Sequence, residues 1–152
     1  MQLTRQADYA MRAVLYLATT PLANIREIAK AQFVPQEYLA KILQRLAKAG
    51  IVTTHRGVGG GISLARAPEK ITLMDVIEAI EGPVALNRCF VRPGECPRES
   101  YCAMHDELEQ IGNSLAGMFA KVNFARLARN EAARARSRQV LNSVLPGKNV
   151  SK

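Results

Sequence analysis

All three cysteines of the chain and one of its two histidines fall between residues 89 and 105, in the order Cys89-x6-Cys96-x5-Cys102-x2-His105. Three thiolates on a loop carrying Pro93, Gly94 and Pro97 can converge on a soft metal centre, with a fourth ligand completing it. An iron–sulfur cluster suits that donor set best on spacing alone. Structural zinc prefers Cys-x2–4-Cys pairs, which this loop lacks. A thiol switch needs no metal, and inert thiols are the remaining reading. Three cysteines cannot close into a complete set of disulfides, so at least one is left for other work. His105 by itself reads more readily as a helix-surface histidine than as a ligand.

The second chemical signal is basic and glycine-rich. Arg56-Gly57-Val58-Gly59-Gly60-Gly61 lies between two β-branched runs, Ile51–Thr54 and Ile62–Leu64, and reads as the tip of a hairpin. Arg56 there can enter a narrow, electronegative minor groove or meet phosphate, and glycines such as Gly60 let the backbone approach closely. No Gly-Lys-Ser/Thr follows the glycines, and they sit between strands rather than before a helix, which disfavours a phosphate-binding loop. Upstream, residues 36–48 form an amphipathic stretch whose outer side carries Gln36, Glu37, Ala40, Lys41, Gln44, Arg45 and Lys48. Such a helix can present side chains to base edges in the major groove. The plainer reading is a solvated basic face over an ordinary three-helix core.

These groups need a scaffold, and helical periodicity supplies it. Thr4 is a good N-cap for a helix through residue 19, with Ala7, Ala10, Met11, Val14, Leu15, Leu17 and Ala18 on a broad apolar face. Asn24 and Glu27 form a capping box for a short second helix, which must end before Pro35. A third helix begins near Gln36, buries Leu39, Ile42, Leu43 and Leu46, and ends at Gly50. Thr72 and Asp75 cap a fourth helix with Val76, Ile77 and Ile80 inward, ending at Gly82-Pro83. The cysteine stretch reads as neither helix nor strand. From about residue 103 a long helix carries Leu108, Ile111, Leu115, Met118 and Val122 at alternating spacings of three and four, a heptad seam suited to a second copy of the chain. The Ala- and Arg-rich stretch 125–138 extends that helix or frays.

Two short helices with a tight connection, followed by a glycine-rich hairpin, is the order of elements in a winged helix-turn-helix. The expected fold is therefore mainly α with a small β-hairpin: a winged helix-turn-helix domain over residues 1–82, a cysteine-bearing sensor loop at 83–104, a dimerisation helix with a basic extension at 105–138, and a flexible tail at 139–152. Charge follows the same divisions. Of 21 Lys and Arg against 13 Asp and Glu, residues 1–80 hold 10 and 6, 81–120 hold 3 and 6, and 121–152 hold 8 and 1. Basic ends around an acidic middle suit a polyanion such as double-stranded DNA, since each neutralised phosphate releases counterions. No apolar run approaches membrane-spanning length and no export signal opens the chain, so a cytoplasmic protein without a membrane partner is expected. With His55 and His105 the only histidines, and no nucleophile patterned beside them, an enzyme is disfavoured.

Leu3-Thr4-Arg5 with Asp8-Tyr9-Ala10, Tyr38-Leu39 through Arg45-Leu46, Ala49-Gly50-Ile51-Val52, the Arg56–Gly61 wing, and Ile71–Ile77 with Glu81-Gly82-Pro83 together resemble a bacterial winged-helix family. It is the family of the iron–sulfur cluster regulator (IscR) and the nitric-oxide-sensing repressor, and the resemblance covers about residues 1–128. It implies a homodimeric transcription factor, usually a repressor, whose cluster state, set by redox conditions, nitric oxide or iron supply, changes binding to a pseudo-palindromic operator. It also assigns Cys89, Cys96 and Cys102 as cluster ligands. The fourth ligand is His105, which would suit a [2Fe–2S] centre, or Asp8 from the partner subunit, which would suit a [4Fe–4S] one. Tyr38 and Arg56 match DNA-contacting positions of the family. Ala40 and Lys41 depart from the iron–sulfur cluster regulator's Glu-Gln pair, so its operator sequence is not carried over. Cluster-free members keep a thiol-redox or zinc-controlled repressor open, and a reading of another class, an iron–sulfur scaffold or carrier, would need the cysteines but not Arg56.

Overall fold

The structure is a computed structural model that describes residues 3–144, with side chains through residue 139. Helix α1, Arg5–Thr19, is capped by Thr4, whose hydroxyl accepts the Ala7 N–H at 3.2 Å, and it buries Ala7, Ala10, Ala13, Val14 and Leu17. The alanines keep this face thin, so that several elements pack closely around one central rod. Helix α2, Ile25–Gln32, opens with the expected capping box: Asn24 accepts from the Glu27 N–H at 3.0 Å and Glu27 accepts from the Asn24 N–H at 2.8 Å. It ends at Phe33, which takes a left-handed φ of 54° with its ring almost wholly exposed. That conformation costs a non-glycine residue roughly 1–2 kcal/mol, and it turns the chain sharply into helix α3, Gln36–Lys48.

Strands β1, Val52–His55, and β2, Gly61–Leu64, pair antiparallel with Val52 opposite Leu64 and His55 opposite Gly61. Ala23 joins the other edge of β2 through two bonds with Ile62, at 3.1 and 2.8 Å. Helix α4, Leu73–Glu81, is capped by Thr72 and Asp75 as expected and buries Val76, Ile77 and Ile80. The core formed by α1 to α4 and the hairpin includes Ile28, Leu39, Leu46, Ile51, Ile71 and Val76, all essentially inaccessible to solvent. The expected mainly α fold with a winged helix-turn-helix is what the chain adopts.

Two expectations are corrected. The cysteine stretch is not free of regular structure: helix α5, Arg88–Val91, forms one turn that includes Cys89, and a 3-10 turn spans Glu99–Tyr101. Nor does one helix run from residue 103 to beyond Val122. Helix α6, Ala103–Ala120, stops, and helix α7, Phe124–Val144, starts afresh. The intervening residues are captured by the start of α4: the Leu73 N–H donates to the Val122 carbonyl and the Phe124 N–H to the Ile71 carbonyl, both at 2.9 Å. Asn123 accepts the Arg126 N–H at 2.9 Å, the bond an N-cap makes. Phe124 is completely buried in the winged-helix core. Val122 therefore lies past the end of α6, off the helix that carries Leu108, Ile111, Leu115 and Met118. The tail expected from 139 begins inside α7, and its part from 145 lies outside the described residues.

Candidate nucleic-acid interface and cysteine loop

Helix α3 buries Leu39, Ile42, Leu43 and Leu46 and leaves Gln36, Tyr38 and Lys41 in solvent; Tyr38 is 58% exposed. Arg56 and Val58 stand exposed at the hairpin tip. The tip is held by its own backbone, with the Gly60 N–H donating to the Gly57 carbonyl at 3.0 Å. A Cβ on Gly60 would lie 2.9 Å from that same carbonyl oxygen, and one on Gly61 would lie 2.8 Å from the Ala23 carbonyl oxygen. Both glycines are thus required by the packing of the wing. At its base, the imidazole Nε2 of His55 lies 2.8 Å from the Ser63 hydroxyl.

Arg45, expected among the DNA-facing residues, is engaged with its own domain. Its guanidinium donates to Gln6 Oε1 at 3.1 Å and to the Ile80 carbonyl, tying α3 to α1 and to the last turn of α4. The next residue, Glu81, accepts the Thr4 N–H at 2.7 Å. Two long-range bonds therefore end on one turn of helix, directly before Gly82 and the cysteine loop. Glu81 enters the sequence reading only within Glu81-Gly82-Pro83 and Gln6 not at all, and their partners went unread because bonds spanning 39 and 77 residues leave no local spacing.

Within the loop, Glu95 bridges two arginines, Arg88 at 3.3 Å and Arg92 at 3.2 Å. Glu99 accepts the Gly94 N–H at 2.7 Å where Gly94 turns with φ 84°. All three cysteines are free. Cys89 and Cys96 line one open cleft with Arg88 and Glu95. Cys102 stands at the N-cap of α6, and its carbonyl accepts the His105 N–H at 3.0 Å. The His105 ring packs 4.8 Å from that of Phe90, the neighbour of Cys89 in sequence, and its Nδ1 lies 3.5 Å from Asp106. Asp8 is ion-paired with Arg12 at 2.8 Å on α1. The donor chemistry, three unpaired thiols on one short loop, fits a soft metal centre. Among the described residues, however, no three Cys, His, Asp or Glu side chains are gathered closely enough to hold a metal ion. The structure brings together Cys89 and Cys96, leaves Cys102 and His105 at the α6 start, and does not place Asp8 with them.

Comparisons with known proteins place the chain among transcriptional regulators. A family model described as Rrf2, iron-dependent transcriptional regulator, matches residues 3–130. The chain belongs to the Rrf2 family. It is 41% identical over 118 residues to the protein aau3 of Rhizobium meliloti, covering 75% of this chain and 76% of that one. It is 37% identical over 117 residues to the transcriptional regulator NsrR of Geobacillus kaustophilus, covering 72% and 80%. Among solved structures, the CymR global cysteine regulator of B. subtilis aligns with a TM-score of 0.71 and 23% identity over 86% of this chain and 98% of that one. The IscR of T. potens aligns with 0.70 and 22% over 86% and 88%. At those identities the two structures speak for the fold. As a member of a family of transcriptional regulators, the chain is a winged-helix regulator rather than an enzyme. Among the described residues no helix is long and apolar enough to cross a membrane.

Proposed function

We propose that the chain is a cytoplasmic, homodimeric DNA-binding repressor whose affinity for a pseudo-palindromic operator is set by an iron–sulfur cluster on residues 83–104. One observation carries the reading. The loop bearing three free thiols leaves directly from the turn of α4 that is bonded to both α1 and α3. A change of loop conformation thus acts at the base of the recognition helix. The family description, iron-dependent regulator, supports iron as the signal.

In this reading Gln36, Tyr38 and Lys41 meet base edges and phosphates in the major groove, and Arg56 enters the minor groove or binds phosphate. Arg45 orients α3 from behind, and Gly60 shapes the wing. Cys89, Cys96 and Cys102 would hold the cluster, with His105 or Asp8 of the partner subunit as fourth ligand. A bound cluster supplies a centre that reacts with oxygen or nitric oxide and depends on iron supply. The chain's own part is to bring Cys102 toward the Cys89–Cys96 cleft, which Glu95 also lines, and to pass that movement to the end of α4. Dimerisation through Leu108, Ile111, Leu115 and Met118 would present two recognition helices to two half-sites.

The test is anaerobic purification, a visible spectrum and operator binding by holo and Cys96→Ala protein. Expected are a coloured, oxygen-sensitive protein, loss of colour in Cys96→Ala, and a changed operator affinity. His105→Ala and Asp8→Ala, recorded separately, identify the fourth ligand by which one perturbs the spectrum. A colourless wild type with stoichiometric zinc, or equal operator binding by both proteins, overturns the cluster reading. The shared Cys89–Cys96 cleft, with Cys102 apart, favours one second reading: a dithiol switch that closes a disulfide and gives two electrons and two protons to an oxidant. It predicts a metal-free protein whose operator binding responds to a thiol reductant.

A further inference from the structure

Helix α7 departs from every other helix of the molecule beyond its first turns. Phe124, Ala125 and Ala128 are buried against the winged-helix core, whereas every residue from 129 to 139 is exposed. That outer stretch, Arg-Asn-Glu-Ala-Ala-Arg-Ala-Arg-Ser-Arg-Gln, holds no apolar side chain larger than alanine. It has nothing to bury against a second protein, which sets it apart from α6, where Ile111 and Met118 lie open. A helix polar on all sides needs ion pairs between neighbouring turns or a partner of another kind. Ion pairs are missing: among the described residues none of Arg126, Arg129, Arg134, Arg136 and Arg138 contacts a carboxylate, and Glu131 is the one acidic residue of the segment. Arg134 and Arg138 stand four residues apart, a like-charge pair that weakens a lone helix. The segment repels itself, and a polyanion removes that repulsion.

We infer that the outer part of α7 is a second, sequence-independent contact with double-stranded DNA, gripping phosphates that flank the site read by α3 and the wing. Its position supports this occupant. The root of α7 packs on α1 and on the 3-10 turn Pro68–Lys70, which follows the wing in the chain. After Arg56 at the wing tip, the chain carries Arg66, which pairs with Asp75 at 3.8 Å, and Lys70 of the turn on which α7 packs. Ten residues of helix from 129 to 138 span about 15 Å, the length of several phosphates along a duplex. This inference rests on the DNA-binding reading, and its test separates the two.

The triple variant Arg134→Gln, Arg136→Gln, Arg138→Gln replaces exposed residues with another good helix former, and its melting curve should match the wild type. Affinities are measured across a salt series for duplexes of about 20 and about 40 base pairs of unrelated sequence. The wild type should bind the longer duplex with a salt slope steeper by about 0.9 for each phosphate the arm contacts. The variant should lose that increment and bind the long duplex at least about tenfold more weakly at low salt, with the short duplex little changed. Helix content of the wild type, read by circular dichroism, should rise on adding the long duplex more than that of the variant. Equal salt slopes for wild type and variant on the long duplex overturn the arm while leaving the winged-helix reading intact. Absence of wild-type binding to either duplex overturns both. Tighter arginine-dependent binding to single-stranded RNA of the same length assigns the arm to RNA and overturns the duplex contact.

Discussion

Two arginines separate at the residue scale although the sequence presents them alike. Both fall on the expected DNA-binding surface, but a helical spacing fixes only where a Cα lies and leaves open where a long flexible side chain ends. Arg56 ends in solvent at the wing tip, while Arg45 ends on Gln6 and on the Ile80 carbonyl. A charge-assisted bond to a partly buried backbone oxygen is worth on the order of 1–2 kcal/mol. Arg45→Met should therefore lower the melting midpoint by roughly 3–6 °C for a chain of this size, weaken operator binding through the orientation of α3, and leave the salt dependence of binding unchanged. Arg56→Ala should do the reverse, with an unchanged midpoint, weaker operator binding and a salt slope smaller by about 1 if its contact is a phosphate. Thermal melts and salt titrations of the two variants check the contrast. A reduced salt slope in Arg45→Met would return that residue to the DNA.

Capped helices were legible at the scale of elements because their signals are local. The Asn24–Glu27 and Thr72–Asp75 boxes each satisfy two backbone donors within four residues, and both form as the sequence indicates. The break between α6 and α7 was not legible. No glycine or proline marks Lys121 to Asn123, where Asn123 is the one local capping signal, and the stop is imposed by tertiary bonds with Leu73 and Ile71 that no periodicity announces. The short helix around Cys89 was hidden in the same way, in a stretch whose prolines and glycine advertise a loop. The consequence for dimerisation is specific. What remains of the seam is Leu108 and Leu115, half-buried, with Ile111 and Met118 55% and 65% exposed at a seven-residue spacing on α6. Each such side chain, when covered, contributes on the order of 1.5–3 kcal/mol. Ile111→Glu with Met118→Glu should convert the protein to a monomer in sedimentation while preserving its melting cooperativity, since neither side chain belongs to the winged-helix core. Val122→Glu should instead lower the melting midpoint. A wild type that sediments as a monomer would show that the α6 stripe has another use.

At the scale of the whole molecule, the site was readable as a list of residues but not as a connection. The cysteines, the wing and the recognition helix are each visible in the chain, yet what joins them is the last turn of α4, held to α3 through Ile80 and to α1 through Glu81. If ligand capture or oxidation at the loop changes DNA affinity, the effect must cross this turn or pass through α6, which also packs on α4. Glu81 distinguishes the routes, because its carboxylate touches the Thr4 N–H and lies outside the buried core. Coupling between sites of this kind amounts to about 5–150-fold in affinity, and it is reciprocal. Glu81→Ala should therefore retain the loop's chemistry and bind the operator, but with the ratio of affinities between the two loop states moved toward one. Glu81→Gln, which keeps an acceptor oxygen for Thr4, should preserve most of that ratio. By the same linkage, operator DNA should shift the midpoint of the loop's titration by the same factor in the wild type and by less in Glu81→Ala. An unchanged ratio in Glu81→Ala would place the coupling on the α4–α6 contact and make the Thr4–Glu81 bond a fastening of the fold alone.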